Sequence, residues 1–159
     1  MKLKCRIAVL IWALIAVALL CSACDPGVSY TPKDWANANY SYSRSFDELD
    51  VEMPRLGGLI GRKWLTPEVS IRNRGKYPAT LERVVLKANG SEYPAKPASP
   101  EGVSGWEGIQ PGATRRVTLD WEFDRPIYEI LKDPVALRMS FKVGSEEKVI
   151  DVPMLRTQG

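Results

Sequence analysis

The chain predicts an all-β fold, an antiparallel β-sandwich, on three observations. Segments with two-residue alternation of apolar and polar side chains recur beyond Glu68. Turn chemistry built from Gly, Pro and Asn separates them about every ten residues, and no long amphipathic helix interrupts the series. About seven short strands result, enough for one sandwich domain in a chain of 159 residues.

The first 24 residues are of another kind. Three cations, Lys2, Lys4 and Arg6, precede an apolar run of about 14 residues. That run is shorter than the roughly 20 residues a helix needs to cross a bilayer core, so it reads as the helix of a secretory signal peptide. It ends in Leu20-Cys21-Ser22-Ala23-Cys24-Asp25. Small residues directly before a cysteine resemble the lipobox of bacterial lipoproteins, with Cys21 standing where leucine is usual and Leu20 one position back. The resemblance implies diacylation of the Cys24 thiol, cleavage after Ala23 and a mature chain beginning at Cys24. It also implies a sorting role for Asp25, since Asp after the lipidated cysteine resembles an inner-membrane retention signal. Several acyl chains on one residue anchor stably where a single chain does not.

Cleavage changes the charge argument. The precursor holds 22 basic and 19 acidic residues; without the three leader cations the balance is 19 against 19. A formally neutral mature chain gives no support for a nucleic-acid partner. All three cysteines lie within the first 24 residues and at most the lipidated Cys24 survives cleavage, so a mature monomer can form no disulfide and no cysteine metal site. Histidine is absent throughout, which removes the commonest general base, the commonest zinc ligand and the imidazole triads. No catalytic residue, metal ligand or cofactor is therefore assigned.

Residues 25–50 are polar and aromatic, with Tyr30, Trp35, Tyr40, Tyr42 and Phe46 among Ser, Asn and Pro. Their punctuation favours a spacer over an edge strand at Asn39-Tyr40-Ser41-Tyr42-Ser43. Gly57-Gly58-Leu59-Ile60-Gly61-Arg62-Lys63 lacks the spacing of a phosphate loop, since Trp64 follows the lysine. It reads as a flexible lead-in. The organisation expected is a signal peptide over residues 1–23, a lipid-anchored tether over 24–61 and the sandwich over 62–159.

The strands follow. Val69-Ser70-Ile71-Arg72-Asn73 alternates until Arg74-Gly75-Lys76-Tyr77-Pro78 breaks it, and residues 80–88 resume with Val84 and Leu86 on one face. Asn89-Gly90 is a strong hairpin signal, because a type I′ turn needs positive φ at both central residues. Residues 92–96 form the return strand. Residues 97–112, rich in Pro and Gly, are irregular. Over residues 115–123, Val117, Leu119, Trp121 and Phe123 share a face; over 135–143, Val135, Leu137, Met139, Phe141 and Val143 do. Residues 126–132 suit one helical turn between them. A last strand over 148–155 buries Ile150, Val152 and Met154, and Pro153, which cannot donate to a ladder, places it at an edge or turns that side outward.

Val69 to Leu86, with its Asn73-Arg74-Gly75 turn, and Pro111-Gly112 before a strand resemble the immunoglobulin-like modules of many bacterial cell-surface proteins. That resemblance implies an immunoglobulin-like sandwich, without the Cys-Trp-Cys core of antibody domains. Two features bear on function. Asp120, Glu122 and Asp124 project from one face about 7 Å apart. They read as a solvated sheet face, with Arg72 and Arg74 across from them if the strand over 68–73 pairs there; the alternative is a calcium site or a carboxylate pair for glycoside work. Trp106 in the Pro/Gly-rich loop is the candidate partner contact, its alternative being a cap on the open end of the sandwich.

The expectation is a monomeric, non-enzymatic binding or accessory module. It is held to a bacterial membrane by a lipid anchor, faces the periplasm or the exterior, and takes other envelope proteins as partners. The competing readings are a carboxylate enzyme acting on cell-wall glycans and a purely structural envelope subunit.

Overall fold

The computed structural model describes residues 27–39, 41–58, 61–97, 106 and 108–157. Cys24, Asp25 and the expected signal peptide over residues 1–23 lie outside the described residues. Two antiparallel sheets share one apolar core.

The first sheet has the order β5-β1-β13-β12-β8-β9. Its strands are β1 (Val28–Pro32), β5 (Leu56–Gly58), β8 (Ala79–Ala88), β9 (Ser91–Pro94), β12 (Val135–Val143) and β13 (Glu146–Thr157). The second has the order β10-β11-β7-β4-β3-β2, from β2 (Ala36–Ala38), β3 (Ser41–Phe46), β4 (Leu49–Pro54), β7 (Glu68–Asn73), β10 (Lys96–Pro97) and β11 (Thr114–Glu122); β6 (Trp64–Leu65) also pairs with β11. Only Ala95 separates β9 in one sheet from β10 in the other, so the chain changes sheet at that corner.

The alternation that marks β11 and β12 in the sequence is their burial. Val117, Leu119 and Trp121 from one sheet meet a core that holds Leu137, Met139 and Phe141 from the other, all at most 2 % exposed. A helical turn, α1 (Ile127–Ile130), joins β11 to β12 and buries Ile127 and Ile130. At Asn89 and Gly90 φ is +49° and +75°, as a type I′ hairpin requires, and β8 folds back onto β9 through it. In β8, Leu81 and Val84 both face the core although three positions apart. A bulge reconciles them: Arg83 pairs with Ser140 and Leu81 with Phe141, which leaves Glu82 as the extra residue on the solvent side.

Three expectations are corrected. First, residues 28–58 are not a tether, for they supply five strands of the two sheets. β1 lies between β5 and β13, with Tyr30 fully buried, its hydroxyl donating to the Leu131 carbonyl at 2.9 Å. Its partner lies over a hundred residues away, and β4 buries Leu49, Val51 and Met53 by strict alternation. The Gly57-Gly58 pair is strand and not lead-in: a Cβ on Gly57 would lie 2.6 Å from the Val28 carbonyl oxygen, so glycine permits β5 to approach β1.

Second, the described residues hold thirteen strands, not about seven. Third, β13 is interior to its sheet despite Pro153. The Pro153 carbonyl accepts from the Lys33 amide at 2.8 Å, just past the end of β1. N–H and C=O of one strand residue point to the same side, so the donor that Pro153 lacks falls where the β1 ladder has ended.

Candidate functional site

The carboxylates predicted from sequence sit along the outer side of the β11 C-terminal end. β7 does pair antiparallel with β11, but in a register that sets Arg72 opposite Thr114 and Glu68 opposite Thr118. Arg72 and Arg74 therefore do not face Asp120, Glu122 and Asp124, and Arg74 pairs with Asp50 at 2.9 Å. The register follows from β7 ending at Asn73, whose amide and carbonyl are taken by Ala113 and Gly112 at the start of β11. Glu122 lies 3.8 Å from Lys96, and Asp124 3.7 Å from Arg125, both pairs largely exposed. An extended strand spreads the three carboxyl groups instead of converging them. Among the described residues no group of three or more Asp or Glu could hold a metal ion. Exposed pairs of this kind contribute at most about 1 kcal/mol.

Trp106 is partly buried and packs against the core. Its indole N–H is shielded and finds no acceptor among the described residues. This is the placement of a cap over apolar surface more than that of a freely presented contact.

The structure also gives a role to the stretch around Arg62-Lys63-Trp64, which by its spacing reads as a flexible lead-in and not as a phosphate loop. Beside β5 and β6, Arg55, Arg62 and Trp64 line a pocket of about 140 Å³ together with Gly57, Thr66 and Pro67. Several forces hold it in place. The Arg62 carbonyl accepts from the Ile127 amide at 2.8 Å, and the Lys63 carbonyl from the Phe123 amide at 2.8 Å, so α1 and the end of β11 pin the segment. Leu65 is buried, which turns its neighbour Trp64 outward, half exposed. The Arg62 guanidinium lies 5.4 Å from the centroid of the Trp64 ring, a cation–π distance. Arg55 and Arg62 have no ion-pair partner among the described residues, and the pocket lining includes two arginines and no carboxylate. The Lys63 ammonium donates to the Asp124 carbonyl at 3.1 Å. What such a site can do chemically is bind an anion. An aromatic directly after two cations, Arg62-Lys63-Trp64, was the available signal.

Two antiparallel sheets over a common core define the class, an all-β protein of sandwich type. A similar arrangement occurs in the crystal structure of a functionally unknown protein from Listeria monocytogenes EGD-e, at 15 % sequence identity and a TM-score of 0.53, covering 78 % of this chain and 86 % of that one. At that identity the likeness concerns the fold alone. No protein-family model and no curated protein matches the chain.

Proposed function

We propose that the protein is a lipid-anchored module of a bacterial cell envelope, an immunoglobulin-like sandwich that binds or assists other envelope components and carries out no catalysis of its own. The observation that carries this reading is the leader, a basic start, a short apolar run and Ser22-Ala23-Cys24, set three residues before the described domain begins at Gly27. The run of alternating strands from β7 to β13 supports the immunoglobulin-like assignment.

Mass spectrometry of the mature chain taken from membranes tests the anchor. A diacylglyceryl group on an N-terminal Cys24 is expected; an unmodified N-terminus at Cys24 or Asp25 would make the domain a soluble exported one. Cross-linking in those membranes followed by capture of the chain tests the module. A stoichiometric envelope protein is the expected outcome, and capture of the chain alone would return the structural-subunit reading.

A further inference from the structure

We propose that the Arg55–Arg62 pocket, with Trp64 on its rim, receives the phosphate of an anionic membrane lipid and seats the domain end-on against the membrane that holds it. The inference rests on the anchored reading of Cys24 and deepens it. Its starting point is the corrected tether. With β1 already in the sheet at Val28, only three residue steps separate Cys24 from Gly27, a reach of about 10 Å at full extension. A spacer of nearly forty residues would let the domain roam; three steps hold one particular end of it at the lipid surface.

That end is the one with the pocket. Gly27 lies against Gly58, where an added Cβ on Gly27 would meet the Gly58 carbonyl oxygen at 3.1 Å. Gly58 pairs with Val28, and a Cβ on Gly58 would stand 3.9 Å from the Arg62 side chain. The point where the chain enters the domain and the Arg62 stem are thus neighbours. The distance from the anchor is comparable with the Debye length of about 8 Å at physiological ionic strength, so the pocket's charges act on the headgroups.

The composition of this end matches an interface with anionic headgroups. Arg55, Arg62, Lys63 and Trp64 are exposed. Guanidinium groups bind phosphate in a planar, two-pronged fashion, and tryptophan places an apolar ring with one polar edge at headgroup depth. Of the carboxylates near it, Asp124, Glu122 and Glu68 each already have a cation of their own, Arg125, Lys96 and Arg116. The formal neutrality of the mature chain does not oppose this, because the field that matters is local.

The test uses the mature full-length chain purified from membranes and mixed with vesicles of phosphatidylcholine alone or with about 30 % phosphatidylglycerol, a fraction that gives a physiological surface charge. Quenching of tryptophan fluorescence by bromine on the lipid chains reports seating, and flotation with the vesicles reports attachment. Of the four tryptophans after residue 23, Trp35 and Trp121 are buried and Trp106 is partly buried against the core, so half-exposed Trp64 supplies most of the accessible signal and Trp64→Phe isolates it. Quenching is expected with anionic vesicles, with loss in Trp64→Phe and at about 0.5 M salt, where the field is screened within a few ångströms. In Arg55→Gln/Arg62→Gln, preference for the anionic vesicles should fall at least tenfold, since a cation beside such a surface strengthens attachment about fivefold. Should that double variant not fold, Trp64→Phe and the salt series decide alone.

Quenching that is equal in the two vesicle types, or unchanged in the variants, would overturn the proposal. So would abolition of quenching by millimolar inorganic phosphate, which would make the pocket a free-anion site. Flotation with anionic but not neutral vesicles would overturn the lipid anchor and leave the seating standing; flotation with both, without charge-dependent quenching, would do the reverse.

Discussion

Asn73 is fully buried and uses every polar group it has. Its side-chain amide donates to the Tyr77 carbonyl at 2.7 Å and the Ile109 carbonyl at 2.9 Å, while its Oδ1 accepts from the Gly75 amide at 2.9 Å. One side chain thereby closes the turn after β7 and ties it to the loop before β11. Buried polar groups left without partners cost about 1–3 kcal/mol each. Asn73→Ala is therefore expected to lower stability by about 3 kcal/mol, read as a fall in the urea midpoint with unchanged slope. A second residue-scale prediction concerns pH. Arg138 and Asp151 form a two-pronged pair across β12 and β13 at 2.7 and 2.9 Å, and hydrogen bonds from Arg138 hold the Asp151 carboxyl below its ordinary range. A carboxyl depressed in the folded state contributes stability above its unfolded pKa, and that contribution disappears as pH falls through the folded one. Both groups are about half exposed, so Asp151→Asn should cost under about 1 kcal/mol near neutral pH. The difference from wild type should vanish under strongly acid conditions, as pH-dependent urea melts would show.

At the scale of elements, the bulge in β8 makes a sharp expectation. Deleting Glu82 would leave one residue between Leu81 and Val84, which restores regular alternation against β12, so melting temperature should change little. Deleting Lys87 removes a residue from a regular stretch and turns the faces on one side of it over, burying polar groups and exposing core ones. That variant should fail to fold, and circular dichroism melts of the two deletions would separate them. Much of this scale was legible beforehand. The β8–β9 hairpin, β11, β12 and the turn of α1 all follow from local signals: Asn89-Gly90, and apolar residues at every second position. The five strands of residues 28–58 were not read, for different reasons. Leu49-Asp50-Val51-Glu52-Met53 shows plain alternation and could have been found. β1 could not, since Val28-Ser29-Tyr30-Thr31-Pro32 is short, ends in proline and becomes a strand only when β13 and β5 lie on either side of it.

For the whole molecule, the incorporation of residues 28–58 changes where the domain begins. A chain starting at residue 62 would lose β1 from the middle of one sheet and β3 and β4 from the other, and with them Tyr30, Leu49, Val51 and Met53 from the core. Such a truncation is expected to show no cooperative melting, whereas a chain starting at Gly27 should melt cooperatively. The opposite result would return residues 24–61 to the role of a spacer. The same boundary leaves three residue steps between Cys24 and Gly27, the first described residue of the domain.

By itself the sequence determined the all-β class, the lack of histidine chemistry and the inward faces of β7, β11, β12 and β13. Those are properties of composition and of two-residue periodicity, which the chain carries locally. Beyond the β8–β9 hairpin, only the tertiary structure decided which strands are neighbours. Periodicity says which way a side chain points and nothing about the partner beside it, so the register of β7 on β11, the interior place of β13 and the entry of β1 into the sheet had to come from packing. The Arg55–Arg62–Trp64 pocket is a mixed case: its lining falls within residues 54–67 of the sequence, but the folding of that stretch against α1 and beside Gly27 came from packing.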